Sequence, residues 1–386
     1  MSMERYHIHV SDEILADLKY RLHHIRWPDQ LEHSGWERGT ELSYLKSLVS
    51  YWRDHYDWRA QEAELNNYSQ YSCNIDDMDV HFVHERGKGP NPMPIILTHG
   101  WPDSYLRYQK IIPLLTDPAS HGGHPEDSFD VVVPSLPGFG FSSSPKQPGF
   151  NNNRVSEMWA KLMTKELGYK KFAAAGGDIG SGVTRYLAAN HPELLFGIHL
   201  TDIGIIRNLM NASGQANLSQ EELRYKTSAS EWIALEGGYM SIQSTRPQTL
   251  AYGLSDSPAG LAGWMIEKFR SWSDCKGNLQ QRFSKDELLT HIMIYWVTNT
   301  MGSSTRMYYE NSHSLRPLGY IEVPTGIALF PEDILLPPKE WASRNLNVTR
   351  WTSMPSGGHF TAMEEPELLA RDIRAFYKPY RLGNRN

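Results

Sequence analysis

The stretch Lys171-Phe172-Ala173-Ala174-Ala175-Gly176-Gly177-Asp178-Ile179-Gly180-Ser181 constrains the fold more than any other part of the chain. An apolar run of strand length stops at two glycines and an aspartate stands at the turn. A helical pattern through Val183, Tyr186 and Leu187 then takes over. A strand that turns this sharply into a helix needs residues without bulk, because its backbone is strained and close to its neighbours. The side chain at the apex of such a nucleophile elbow is held out for reaction. Here it is Asp178, neither Ser nor Cys. A carboxylate in that place attacks carbon and leaves an alkyl ester on the enzyme. The plainer reading makes Asp178 a helix N-cap and nothing more, so the rest of the chain has to decide.

Composition narrows the field. With 386 residues, 40% hydrophobic and 21% charged, the chain has ordinary globular make-up and enough length for one large α/β domain with an accessory part. A net charge of −6 without a basic block speaks against nucleic acid as a partner. The two cysteines, Cys73 and Cys275, lie far apart and form no CxxC. A disulfide framework or structural metal site is therefore not expected, and a reducing, cytoplasmic location is. No run of about 18 apolar residues predicts a transmembrane helix, and no apolar segment follows the N-terminus as a signal peptide requires.

Residues 1–90 read as a meander that wraps a core. Ser11 caps a predicted helix with Ile14, Leu15, Leu18, Leu22 and Ile25 on one face, ended by Pro28. A second helix spans about 41–53, and the tryptophans of Arg26-Trp27-Pro28, Gly35-Trp36 and Asp57-Trp58-Arg59 point to packing on the main domain. The alternation Val80–His84 predicts the first strand of a sheet, with His81 and His84 as solvated strand residues rather than metal ligands. Residues 91–204 then alternate strands and helices, which implies a mostly parallel sheet with helices on both faces. Pro94–Thr98 is a strand followed by His99-Gly100-Trp101-Pro102. An N–H in that loop is the second half of an oxyanion hole in the α/β-hydrolase fold, and Pro102 fixes the backbone so that the Trp101 N–H points inward. Residues 205–318 lose the strand–helix rhythm and read as a mainly helical lid over the C-terminal strand ends. Residues 319–386 return to the sheet: Thr325–Phe330 is followed by Glu332 and Asp333, and Asn347–Trp351 by Gly357-Gly358-His359-Phe360. Asp178, an acid at 332–333 and His359 stand in the chain order nucleophile, acid, histidine of the α/β-hydrolase fold.

With those residues in view the chain resembles the epoxide hydrolases of the α/β-hydrolase superfamily. It is most similar to the microsomal-type branch with an N-terminal meander. The resemblance is carried by Arg26-Trp27-Pro28, Asp57–Glu62, His99-Gly100-Trp101-Pro102, Gly177-Asp178-Ile179-Gly180, Asp256–Leu261 and Gly357-Gly358-His359-Phe360. It implies Asp178 as nucleophile, His359 as general base and the lid tyrosines Tyr239 and Tyr308 as acids on the epoxide oxygen; Tyr309, next door, is a one-residue ambiguity. The triad acid is Asp or Glu in the family. Register through Phe330-Pro331 and Pro338…Trp341 favours Asp333 over Glu332. The N–H groups of Trp101 and Ile179 are implied as the oxyanion hole, with His99, Trp101, Pro102 and Phe360 around the substrate. No metal or organic cofactor is implied, and the partner is a small-molecule epoxide. Mammalian microsomal members carry a membrane anchor; this chain starts at the meander, so no membrane association is expected. A homodimer is compatible with the chain, no feature of which sets the oligomeric state. The alternative is a haloalkane or haloacetate dehalogenase, which uses the same Asp–His–acid set.

Overall fold

Short aliphatic and β-branched runs bounded by Gly and Pro form a single sheet, and amphipathic segments between them form its helical cover. A computed structural model of the chain describes residues 3–204 and 217–382. Among these, nine strands are β1 (Glu4–Arg5), β2 (Gln70–Ile75), β3 (Met78–Glu85), β4 (Met93–Thr98), β5 (Phe129–Pro134), β6 (Phe172–Gly176), β7 (Leu195–Leu200), β8 (Ile321–Leu329) and β9 (Leu346–Ser353). They lie in the order β1-β2-β3-β5-β4-β6-β7-β8-β9. The β1–β2, β2–β3 and β3–β5 pairs are antiparallel, and the remaining pairs are parallel. Every residue of β5 and β6 is buried, as expected of parallel strands covered on both faces.

Helices longer than five residues are α1 (Asp12–His23), α2 (Leu42–Asp54), α3 (Trp58–Leu65), α4 (Ile111–Thr116), α5 (Asn152–Lys161), α6 (Ile179–Asn190), α7 (Gln220–Glu236), α8 (Gly238–Thr245), α9 (Pro247–Asp256), α10 (Pro258–Ser271), α11 (Lys285–Thr298), α12 (Met301–His313) and α13 (Pro366–Leu382). The pairs α5–α6 and α4–α13 pack against the sheet. Helices α7 to α12 sit between β7 and β8 in the chain. The expected start of that insertion, at 205, lies outside the described residues.

The structure departs from the sequence reading in three places. The strand at Val80–His84 is the third of the sheet, not the first. His81 and His84 are buried rather than solvated, because β3 is paired on both sides. The His81 ring lies against Tyr6, Tyr105 and Phe141 and bonds Ser135 Oγ at 2.9 Å and Gln70 Oε1 at 2.8 Å. Burial pushes that imidazole down to about 3. Finally, α1 stops at His23, short of Pro28, and Ile25 and Trp27 pack on the core beyond it.

Residues 3–65 hold the helices inserted between β7 and β8. Arg21 Nη1 meets Asp256 Oδ1 at 2.7 Å, and Thr40 Oγ1 donates to Gly263 O at 2.6 Å. Tyr51 donates to Asp286 at 3.0 Å, and the buried Trp52 indole donates to Met293 Sδ at 3.3 Å. The N-terminal helices thus fix α9, α10 and α11 above the sheet.

Candidate active site

Strand β4 lies between β5 and β6, although β5 follows it in sequence. The order of connection therefore reverses beside β4, and at such a point the loops leaving neighbouring strand ends diverge and open a crevice. Thr98 of β4 is in register with Gly176 of β6, and Gly176 with Leu200 of β7. The loops that follow carry Trp101, Asp178 and Asp202.

Asp178 sits at the elbow with φ 56° and ψ −126°. That is a strained backbone for a residue with a Cβ, costing on the order of 1–3 kcal/mol. The surroundings over-determine it. The Asp178 N–H donates to Asp202 Oδ2 at 2.5 Å, and Ser181 Oγ lies 2.9 Å from Asp178 O and 2.7 Å from Asp202 Oδ1. Burial, with Asp333 adding to it, pushes the Asp202 carboxyl up. Two glycines permit the fit. A Cβ on Gly180 would stand 1.9 Å from Thr98 O, and one on Gly100 would stand 2.4 Å from Asp178 Cβ.

The Asp178 carboxylate is shared. The Trp101 N–H donates to Oδ1 at 2.9 Å, while His359 Nε2 faces Oδ2 at 3.4 Å. The Ile179 N–H is the first of α6, where amides have no intrahelical acceptor. His359 Nδ1 is 2.7 Å from Asp333 Oδ1. Glu332 instead points outward to Lys276 Nζ at 2.6 Å. Burial alone would push the imidazole down; the Asp333 and Asp178 carboxylates outweigh it and hold it at about 10. Both carboxylates thus favour the protonated form of this imidazole.

Other groups fix the histidine. Its N–H donates to Trp272 O at 2.7 Å, and its carbonyl accepts from Arg107 Nη2 at 2.6 Å. Arg107 is fully buried and pairs with Asp103, which in turn accepts the Gly100 N–H at 2.8 Å. One guanidinium thereby ties the Trp101 loop to the His359 loop. Glu364 accepts the N–H groups of Asp274, Gly358 and Phe360 at 2.7, 3.0 and 2.9 Å.

A cavity of about 480 Å³ opens above these groups. Asp178, Ile179, His359, Tyr239 and Tyr308 line it, and Met240, Leu318, Ile334 and Leu335 make much of the rest apolar. Tyr239 and Tyr308 meet edge to face with centroids 5.9 Å apart. Both pack on the Trp101 indole, Tyr239 stacked at 5.5 Å and Tyr308 edge-on at 5.8 Å. Burial pushes both phenols well up. Tyr309 is exposed and stacks on His313.

None of the four residues expected around the substrate, His99, Trp101, Pro102 and Phe360, is among those lining the cavity. His99 is fully buried behind the strand end, where Nε2 accepts the Leu136 N–H at 3.1 Å. Pro102 is buried in the loop. Phe360 stacks on Phe269 at 4.3 Å, inside the contact between the His359 loop and the lid. Each stands within two residues of a site residue in sequence, and the Phe360 ring packs edge-on against that of His359 with centroids 5.4 Å apart. Trp101 contributes its backbone N–H and an indole that supports the tyrosines. Asp202 and Arg107 were not foreseen. Asp202 could have been found as an acid just past a parallel strand; Arg107 carries no such signal.

The sequence matches the family described as Epoxide hydrolase N terminus over residues 3–108 and that described as alpha/beta hydrolase fold over residues 93–237. It is 43% identical over 377 residues to a Stigmatella aurantiaca protein that carries the epoxide hydrolase name provisionally, covering 97% of this chain and 85% of that one. To Epoxide hydrolase 1 of Oryctolagus cuniculus it is 38% identical over 404 residues, 97% and 88% of the two chains. The crystal structure of juvenile hormone epoxide hydrolase from Bombyx mori superposes with a TM-score of 0.88 at 28% identity, covering 99% of this chain and 96% of that one. The Aspergillus niger epoxide hydrolase structure gives 0.85 at 27% identity, covering 98% and 97%.

Proposed function

The chain belongs to the epoxide hydrolase family on an α/β-hydrolase fold, and from that premise we propose that it converts an epoxide to a vicinal diol through an alkyl ester on Asp178. One observation carries this reading: the Asp178 carboxylate bonded to the Trp101 N–H and facing His359, with two phenols lining the same cavity.

In the first step an Asp178 oxygen attacks an epoxide carbon, the C–O bond breaks, and the leaving oxygen takes a proton from a phenol, Tyr239 or Tyr308. Ester formation consumes one of the two anions that hold His359 up. The imidazolium then returns a proton to the phenolate and becomes a neutral base. In the second step His359, held by Asp333, takes a proton from water, and the hydroxide attacks the ester carbonyl carbon of Asp178. The N–H groups of Trp101 and Ile179 hold the oxyanion, each such donor being worth roughly 10²–10³ in rate. Collapse breaks the ester C–O bond, the proton of the added hydroxyl passes to the leaving alkoxide, and the diol departs with the Asp178 carboxylate restored beside the imidazolium. Protons balance over the cycle without a metal or organic cofactor. Halide displacement by the same carboxylate needs no acid above the leaving group, so the paired phenols favour an oxygen.

The test is a single turnover with styrene oxide in ¹⁸O-water, followed by mass spectrometry of the peptide containing Asp178. One ¹⁸O in Asp178 is expected alongside the diol. Label in the diol with none in Asp178 would mean direct attack by water and would overturn the reading.

A further inference from the structure

Two phenols line the cavity with Asp178, yet opening one epoxide requires one proton. A buried cation distinguishes them. Lys268 lies on α10 with a side chain only 7% exposed, and Nζ stands 4.8 Å from the centre of the Tyr239 ring and 5.6 Å from that of Trp272. Its ion-pair partner is the neighbouring Glu267. Among the described residues, no lysine or arginine is placed over the Tyr308 ring.

We propose that Lys268 is a positioning residue that makes Tyr239 the proton donor in epoxide opening, with Glu267 setting the strength of its effect. The inference rests on the two-step reading above. A phenol that loses its proton spreads negative charge into the ring. A cation over the ring face is then attracted more strongly to the phenolate than to the phenol, and in a buried site water screens that difference poorly. The surroundings otherwise oppose ionisation. Burial opposes it most, and Asp178 from the elbow, Glu267 from α10 and Glu236 from α7 add to burial. Tyr308, from α12, meets the Tyr239 ring edge to face with centroids 5.9 Å apart. The placement of Lys268 over one ring is what distinguishes the two phenols. As the C–O bond of the epoxide breaks and the Asp178 ester forms, the leaving oxygen takes the Tyr239 proton. The phenolate, held under Lys268, recovers a proton from the His359 imidazolium.

Stopped-flow single turnovers with styrene oxide, followed by tryptophan fluorescence, separate ester formation from ester hydrolysis. Lys268→Met should slow ester formation about 10- to 100-fold and change ester hydrolysis little, while Lys268→Arg restores most of the rate. Ultraviolet difference titration should move the Tyr239 ionisation up in Lys268→Met. It should move down in Glu267→Gln, which removes an opposing anion and leaves the cation. Unchanged ester formation in Lys268→Met, equal slowing of both steps, or shifts of the phenol in the same direction in the two variants would each overturn the proposal. Should Lys268→Met not fold, Glu267→Gln decides: a downward shift supports the role of the pair, and no shift or an upward one overturns it. Absence of any ester on Asp178 in the unaltered enzyme is a different result, which removes the two-step reading itself.

Discussion

At the scale of the residue, most of the chemistry follows from charge held close to charge. His359→Gln removes the base but leaves Asp178 and the phenols, so the alkyl ester should accumulate. Intact-mass spectrometry after mixing with styrene oxide should show the adduct, with diol release down by a factor of at least about 10². The imidazole offers a second test. Its pKa of about 10 depends on two carboxylates, and the ester retains only one. Hydrolysis of the isolated ester should therefore rise with pH around a midpoint well below 10; a midpoint near 10 would mean that Asp178 contributes nothing to the shift. Gly180→Ala would drive a Cβ into the Thr98 carbonyl at 1.9 Å. That is a backbone clash with no flexible end, and loss of soluble enzyme is the expected outcome. Asp178, the acid at 333 and His359 were legible in the sequence because each follows a strand at a fixed place in the chain order. Arg107 and Lys268 were not, because their roles come from approach in space: one reaches a carbonyl 252 residues away and the other lies over a ring on the preceding lid helices. His99 and Phe360 stand beside the site in the chain yet do not line the cavity, because closeness in sequence does not fix which way a side chain faces.

At the scale of the element, the parallel strands were legible from their apolar runs, and the N-terminal pairings were not. Strand β1 is two residues long, and β2 (QYSCNI) alternates too weakly to stand out. The solvated reading of His81 failed for the same reason, since it assumed an edge where β2 and β5 flank the strand. The contacts between the N-terminal helices and the lid differ in weight. The Arg21–Asp256 pair is 34% and 79% exposed, so Arg21→Ala should cost less than about 1 kcal/mol. Trp52 is almost fully buried and hydrogen-bonded to Met293, so Trp52→Ala should cost about 3–5 kcal/mol. Denaturant melts of the two variants should show that contrast. Comparable losses would mean that α2 is held to the lid by charge rather than by packing.

For the molecule as a whole, stability against acid should depend on a charge network remote from the site. Asp372 on α13 bonds His199 of β7 at 2.8 Å and Arg350 and Thr352 of β9 at 2.5 and 2.8 Å. Burial alone would raise its carboxyl, but these partners outweigh burial and hold it well below the ordinary carboxylate range. A depressed folded pKa gives stability that is present above the unfolded value, about 3.9, and lost as pH falls through the folded one. Asp372→Asn should thus lose about 3–5 kcal/mol at pH 7, and its melting temperature should fall less steeply than the parent's below about pH 4. The hold of the N-terminal helices on the lid also has a consequence for synthesis. Arg21 and Asp256 are 235 residues apart, and Trp52 and Met293 are 241 apart. At roughly 5–20 residues per second, the first helices wait on the order of 10–50 s at the ribosome before the surface they cover has been made. Their tryptophans are exposed for that interval, which makes the nascent N-terminal segment a client for chaperones and the first part of the chain at risk of aggregation.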